Sequence, residues 1–380
     1  MTQPMTPRQR ILAAVDHRAP DRVPIDVGGT SFSTLIGDAY ERLKAALGVE
    51  AETRYMKRKS RSALLDEAVA RRLGTDTRPL LVGSPDGWQD VYYDDGSFRD
   101  EFGVVWRKAA GGHYAPTGNP LAEATTPAQV EAYPWPEPAN PGRTRGLQEQ
   151  ARRLHEETEY AVVLTLPVGF VHLSQYLRGY EQWLMDIILN PAFLDALMDR
   201  ALAWWLDLAA AVLDEVGPYV DVVAFGDDVA FHDRPMVDLA RYRRLFKPRH
   251  RRMVDLIKAK SDARVLYHCC GAVGPLVGEF IDIGVDALNP VQVSSAGMGD
   301  TAALKAEFGE HVCFWGGIDT RYILPRGAPD EVRAEVRRRI EDLAPGGGYV
   351  LAPVHNIQED VPAENVLAMA DEGARLEVVG

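Results

Sequence analysis

Arg264-Val-Leu-Tyr-His268-Cys269-Cys270-Gly271 is a short apolar run that ends in groups able to bind a metal. Extended backbone sends alternate side chains to opposite faces, so His268 and Cys270 share one face and Cys269 takes the other. Imidazole and thiolate are preferred zinc ligands, and one of each at a strand end supplies half of a tetrahedral site. Gly271 frees the backbone to turn into the segment that follows. Taken alone, the stretch also fits two cysteines packed as small hydrophobes beside a hydrogen-bonded core histidine. The rest of the chain decides between these readings.

The same unit, a short apolar run followed by a longer amphipathic stretch, recurs along the chain. Strands are expected at 22–27, 160–166, 221–225, 264–270, 286–290, 312–316 and 349–353, with a weaker one at 79–82. Helices are expected at 34–47, 60–73, 145–157, 191–216, 235–260, 275–283, 300–308, 328–343 and 362–377. Several open on proline, as in Asn190-Pro191, Arg234-Pro235 and Val361-Pro362. This alternation predicts an α/β fold of the TIM (β/α)8 barrel type, one domain over residues 1–380. No G-x-G-x-x-G or P-loop follows a strand, which argues against a doubly wound open sheet. Residues 84–138 break the pattern. There Tyr92-Tyr93-Asp94-Asp95-Gly96-Ser97 reads as a hairpin turn, and Gly111-Gly112-His113 and Pro134-Trp135-Pro136 read as loops. The stretch is expected to be an inserted β-hairpin and excursion, not a second domain.

The 380 residues carry a formal charge of -13, which argues against nucleic acid or an anionic membrane surface as partner. No apolar run has the length of a membrane span and no signal peptide opens the chain, so a cytoplasmic protein is expected. Three cysteines, two of them adjacent, make a poor disulfide framework.

Polar groups gather where the expected strands end: Asp26, Asp227 and Asp228, His268 and Cys270, Asn289 and Gln292, Asp319, and His355 with Asn356. In barrel enzymes the strand C-termini build the active site. Asp227 or Asp228 can serve there as metal ligand, general acid or base, or substrate anchor, or can cap the next turn. His355 can close a metal site with His268 and Cys270, or bond to a neighbouring loop. His232 is the weaker candidate beside the aspartates. Cys313 sits inside a strand and is expected in the core, while His17, His155, His250 and His311 lie among charges and are expected in solvent.

At these residues the sequence resembles the uroporphyrinogen decarboxylase superfamily, which includes corrinoid-linked methyltransferases. The matching stretches are 8–24, Gly226-Asp-Asp228, Lys247-Pro-Arg-His250, His268-Cys-Cys-Gly271, 286–292, 315–320 and 346–356. The resemblance implies a single barrel with its active site at the strand C-termini. The decarboxylase branch grips its polycarboxylate substrate with an N-terminal arginine-rich motif, and here that place reads Asp26-Val-Gly-Gly-Thr-Ser-Phe-Ser. The methyltransferase branch carries a zinc site of the form His-x-Cys plus a distant cysteine near the last strand. His268 and Cys270 match the first two ligands, and His355 stands where the distant cysteine would be.

The resemblance therefore implies a zinc-dependent methyltransferase, with His268, Cys270 and His355 holding the metal. Asp227 or Asp228 would orient substrate or supply a proton, and Asp26, Asn289, Gln292 and Asp319 would bind substrate. The methyl group would pass between a small methylated compound (a methoxyaromatic, methylamine or thioether, hence O-demethylation among the candidate reactions) and a corrinoid. No cobalamin-binding D-x-H-x-x-G occurs in the chain, so the corrinoid would arrive on a separate protein, with folate as the alternative carrier. A homodimer is compatible with these expectations. Two other readings stand beside this one: a decarboxylase of tetrapyrrole biosynthesis, and a non-catalytic barrel that binds a metal or tetrapyrrole.

Overall fold

In a computed structural model, which describes residues 4–57, 59–109 and 114–376, short apolar runs form the staves of a barrel. They are β1 (Thr77–Leu81), β2 (Ala161–Thr165), β3 (Val222–Gly226), β4 (Arg264–His268), β5 (Ala287–Asn289), β6 (Cys313–Ile318) and β7 (Tyr349–Pro353). Each pairs in parallel with the next, so the sheet order follows the chain from β1 to β7. The stretch around Ile25 closes the ring. Its Asp26 N–H donates to the Leu351 carbonyl at 2.9 Å, Leu351 N–H donates to Pro24 at 2.9 Å, and Asp76 N–H donates to Ile25 at 2.8 Å. The strand expected at 22–27 is present as bridges, not as a regular strand, because Pro24 has no N–H to give a ladder.

Inside the barrel, Val163, Val222, Ala224, Leu266, Ala287, Cys313, Trp315, Val350 and Ala352 pack as one apolar cluster. The first helix, Pro7–Val15, adds Ile11, Ala14 and Val15 to that cluster. It enters from the strand N-termini, where Arg8 N–H bonds Glu159 just before β2. That end is plugged, which leaves the strand C-termini as the open end. The barrel is a (β/α)8 fold of the TIM type.

Three expectations change. Residues 60–73 hold a strand, Ser62–Leu64, before the helix Glu67–Arg72. The strand forms because it pairs with Arg54–Lys57 in an antiparallel hairpin, a contact that helical periodicity cannot report. The helix expected at 235–260 is two helices, Leu239–Leu245 and Lys247–Lys260, broken where Pro248 opens the second one. Two further helices, Phe170–Arg178 and Tyr180–Leu189, follow β2; Gly179, at φ +89°, separates them.

Within residues 84–138 lies a separate antiparallel sheet of Val91–Tyr92, Phe98–Arg99, Val105–Lys108 and Tyr114–Gly118. The first pair turns at Tyr93–Ser97, with Gly96 at φ +77°. The Gly111-Gly112-His113 loop lies outside the described residues. The sheet sends Trp106 and Tyr114 to the wall of a cavity of about 660 Å³ that also reaches Gly226, Asp228 and His268 at the strand ends. Among the described residues no helix is long and apolar enough to cross a membrane.

Candidate active site

His268 is the last residue of β4 and is buried, 6% exposed, with its ring 4.3 Å from that of Phe32. Its Nδ1 bonds the side-chain amide oxygen of Asn289, whose amide nitrogen in turn donates to the Trp315 carbonyl at 2.9 Å. An amide oxygen only accepts, so Nδ1 carries the proton and Nε2 keeps its lone pair. That Nε2 lies 3.3 Å from the Cys270 sulfur. Cys269 points the other way, into the helix-facing core, where its sulfur accepts from Val229 N–H at 3.4 Å. The alternation expected of an extended run thus continues past the end of β4.

Gly271 makes the turn after these residues with φ +101°, and a Cβ there would meet the Phe231 carbonyl at 2.5 Å. Its N–H donates to the Gln292 side chain at 2.7 Å. His355 follows β7, held by a bond from Val354 N–H to Ile318 at 2.9 Å. Its ring meets that of His268 edge-on, centroids 5.3 Å apart, and its Nδ1 accepts from Asn356 N–H at 2.7 Å. One donor atom from each of His268, Cys270 and His355 lies within 4.8 Å of the others. Donors around a tetrahedral zinc sit roughly 3.3–3.8 Å apart, so the set fits the ion after its widest pair closes by at most about 1.5 Å.

Beside this cluster stands a second one made of carboxylates and histidines. Asp227 is fully buried at the end of β3 and accepts from Val171 N–H at 3.1 Å and His172 N–H at 3.0 Å. Its Oδ2 also meets His250 Nε2 at 3.3 Å. Gly169 makes room, since a Cβ there would lie 2.2 Å from an Asp227 oxygen. The His172 ring sits between the two aspartates, Nδ1 at 3.4 Å from Asp227 and Nε2 at 3.5 Å from Asp228. Asp228 also accepts Cys270 N–H at 2.7 Å, which ties the two clusters together.

These contacts set the charges. Burial works against an ionised Asp227 or Asp228, but His172 outweighs it, with His250 for the first and His268 for the second, and both carboxyls fall below the usual carboxylate range. Burial likewise disfavours a charged His172, yet Tyr176 and the two aspartates raise it well above an ordinary histidine. The two carboxylates on either side of the ring thus favour the charged form of His172. Burial first, then Asp228 and Cys269, push the Cys270 thiol well up, while burial lowers His268.

The remaining expected residues fall elsewhere. Asp26 is fully buried, accepting from Gly29 N–H at 2.8 Å, Thr77 hydroxyl at 2.7 Å and Trp315 indole at 2.8 Å, so its acceptors serve the barrel. Asn289 and Gln292 hold His268 and the Gly271 turn. Asp319 accepts from Arg321 N–H at 2.8 Å and Tyr322 N–H at 3.2 Å, capping a turn. His232 meets Ser295 and Arg321. Asp228, His268 and His355 line the cavity, and so does His172, which the sequence reading passed over. His250, expected in solvent, is fully buried. The signal was there: Phe246, His250, Met253 and Ile257 repeat at helical spacing, so His250 sits in the middle of an apolar stripe.

A family model described as uroporphyrinogen decarboxylase (URO-D) matches residues 113–375, well over half of the chain. A methylcobamide:CoM methyltransferase, MtaA, of Methanosarcina barkeri is 28% identical over 149 residues, 39% of this chain and 40% of that protein. The chain thus matches about two fifths of that relative's length. Among solved structures, a methyltransferase from Methanosarcina mazei shares the fold with a TM-score of 0.66 at 21% identity, covering 97% of this chain and 98% of its own. The barrel and the family match agree: the chain belongs to the uroporphyrinogen decarboxylase family.

Proposed function

We propose that the protein is a methyltransferase that moves a methyl group between a small methylated substrate and a corrinoid carried by a separate protein. The observation that carries this reading is the convergence of His268, Cys270 and His355 donor atoms within 4.8 Å at the open end of the barrel. Two imidazoles and one thiol are a catalytic zinc set, with a fourth position left for substrate. Bound there, zinc would act as a Lewis acid on the substrate's oxygen, nitrogen or sulfur. The kinship with a methylcobamide:CoM methyltransferase supports the same chemistry and the same class of partner.

The chain's own residues then have distinct tasks. Asn289 fixes the tautomer of His268, and Phe32 covers its ring against water. Asp228 holds the Cys270 backbone and keeps His172 charged. When the bond from methyl carbon to heteroatom breaks, its electron pair stays on the heteroatom, and His172, on the cavity wall, donates the proton that neutralises it. Asp227 and His250 hold His172 from behind and touch no substrate.

Purified without chelator, the protein should carry about one zinc per chain. Incubated with a corrinoid protein in the cob(I)alamin state and a methylated compound, it should form methylcobalamin, read by absorbance. Methoxyaromatics, methylamines and thioethers are the compounds to try, with tetrahydrofolate as a second acceptor. Equal turnover by the chelator-stripped protein, or turnover of uroporphyrinogen with no methyl transfer, would overturn the reading.

A further inference from the structure

The cavity above the ligand cluster carries several cations, and the fold neutralises all but one of those it describes. Lys59 bonds Asp100 at 2.6 Å and lies 4.2 Å over the Trp106 ring. Arg143 pairs with Glu101, and His172 lies between Asp227 and Asp228. Lys57, two residues before Lys59 at the end of the strand Arg54–Lys57, also lines the cavity and is half-buried. Among the described residues its ammonium has no hydrogen bond and no ion pair. Burial and the like charge of Lys59 bring its pKa down to about 8, with no acid acting in the other direction. Lys57, His268 and His355 line the same cavity, so the lysine and the candidate ligand cluster share one space.

A half-buried cation with a like charge beside it and no counter-ion costs stability, and such groups cluster at binding sites. We propose that the methylated substrate is an anion: its carboxylate or sulfonate seats on Lys57 while its methyl-bearing heteroatom faces His268, Cys270 and His355. This rests on the methyl-transfer reading and names the substrate class for the same site. Lys57 sits on the hairpin that joins the barrel mouth to the additional sheet, so it would grip the end of the substrate farthest from the reacting atom.

The test uses the zinc-loaded protein and two pairs of probes, 4-methoxybenzoate with 4-methoxybenzamide and methylthioacetate with methylthioacetamide. The indole of Trp106 in the cavity wall makes binding readable by fluorescence. A charge-assisted bond to Lys57 should favour the bound anion over its amide by roughly ten- to a hundredfold. Lys57→Met should abolish that preference and Lys57→Arg keep most of it, both with unchanged zinc content, and Lys57→Met should melt no lower than wild type because it removes an unanswered charge. If neither anion outbinds its amide, or if Lys57→Met keeps the preference, the proposal is wrong. Lys57-dependent anion binding without methyl transfer would reject the reaction and keep the anion site. Methyl transfer from neutral donors that ignores Lys57 would do the reverse.

Discussion

The two clusters at the barrel mouth are built on opposite plans. Around Asp227 every charge is answered: two backbone N–H groups, the ring of His172 and the ring of His250 surround one buried carboxylate. Around Cys270 there is no carboxylate in the set, only a thiol and two imidazoles. The lone pair of His268 Nε2 is aimed at a sulfur 3.3 Å away, and His355 adds another donor. A carboxylate whose charge the fold answers serves to hold a shape, whereas a thiol and two imidazoles converging on a cavity are the donor set we propose for zinc. Asp228 belongs to both, touching His172 on one side and the Cys270 N–H on the other.

The sharpest way to break this contrast is a pair of variants expected to fail in opposite ways. Cys270→Ser should lose most of its zinc, an affinity loss beyond the roughly 10–100-fold that outer residues of a metal site command, with a melting temperature near that of the apo wild type. Asp227→Asn should keep its zinc and instead lose about 3–5 kcal/mol of unfolding free energy, because it strands a buried imidazolium. Metal analysis and denaturant titration of both proteins decide the matter. Zinc loss in the Asp227 variant would make that carboxylate a ligand and dissolve the distinction. Cys269→Ser is the control for register: its side chain faces the helices, and it should retain the metal.

How much of this was legible in the sequence follows from what each residue depends on. The barrel was legible because strand and helix periods are local, and β7 and the helix Pro191–Val216 stand at their expected bounds. His268 and Cys270 were legible because alternation along one strand fixes their common face. His355 could be placed at a strand end, but its approach to His268 depends on ring closure between residues 87 positions apart, as 355 less 268 gives. His172 lay just past a strand that was read correctly, in a helix that was not, and its meaning comes from carboxylates more than 50 residues away. Asn289 and Asp26 were identified as strand-end polar residues. No local pattern reports whether an acceptor there turns to the cavity or into the wall.

Asn289 gives the next, smaller effect. It touches no substrate by this account but holds the His268 tautomer and orientation. Asn289→Ala should therefore weaken zinc binding by about 10–100-fold without abolishing it. Turnover should recover when zinc is supplied in excess, which Cys270→Ser would not show. A variant with unchanged affinity would mean that Phe32 and the strand backbone fix the ring unaided.

The gentlest effect is on pH, where the two clusters should again part. In the metal-free protein burial and Asp228 keep the Cys270 thiol protonated through the neutral range, and zinc takes the thiolate, so each binding event releases that proton. His268, lowered by burial, is already neutral there and adds none. Zinc affinity measured against a competing chelator should thus rise about tenfold per pH unit near neutrality. Stability of the carboxylate cluster should move the other way. His172 is raised, so its contribution is complete below about pH 6.5, the ordinary histidine value, and fades as pH climbs through its higher folded value. Asp227 and Asp228 are lowered, so their contribution is complete above about pH 4 and is lost as pH falls toward their folded values. The apo protein should be most stable between those limits, and His172→Gln should flatten the alkaline side of the curve. A zinc affinity that does not change with pH would mean that the thiolate exists before the metal arrives, and Cys270 would then share the prepaid charge of the aspartate cluster instead of standing apart from it.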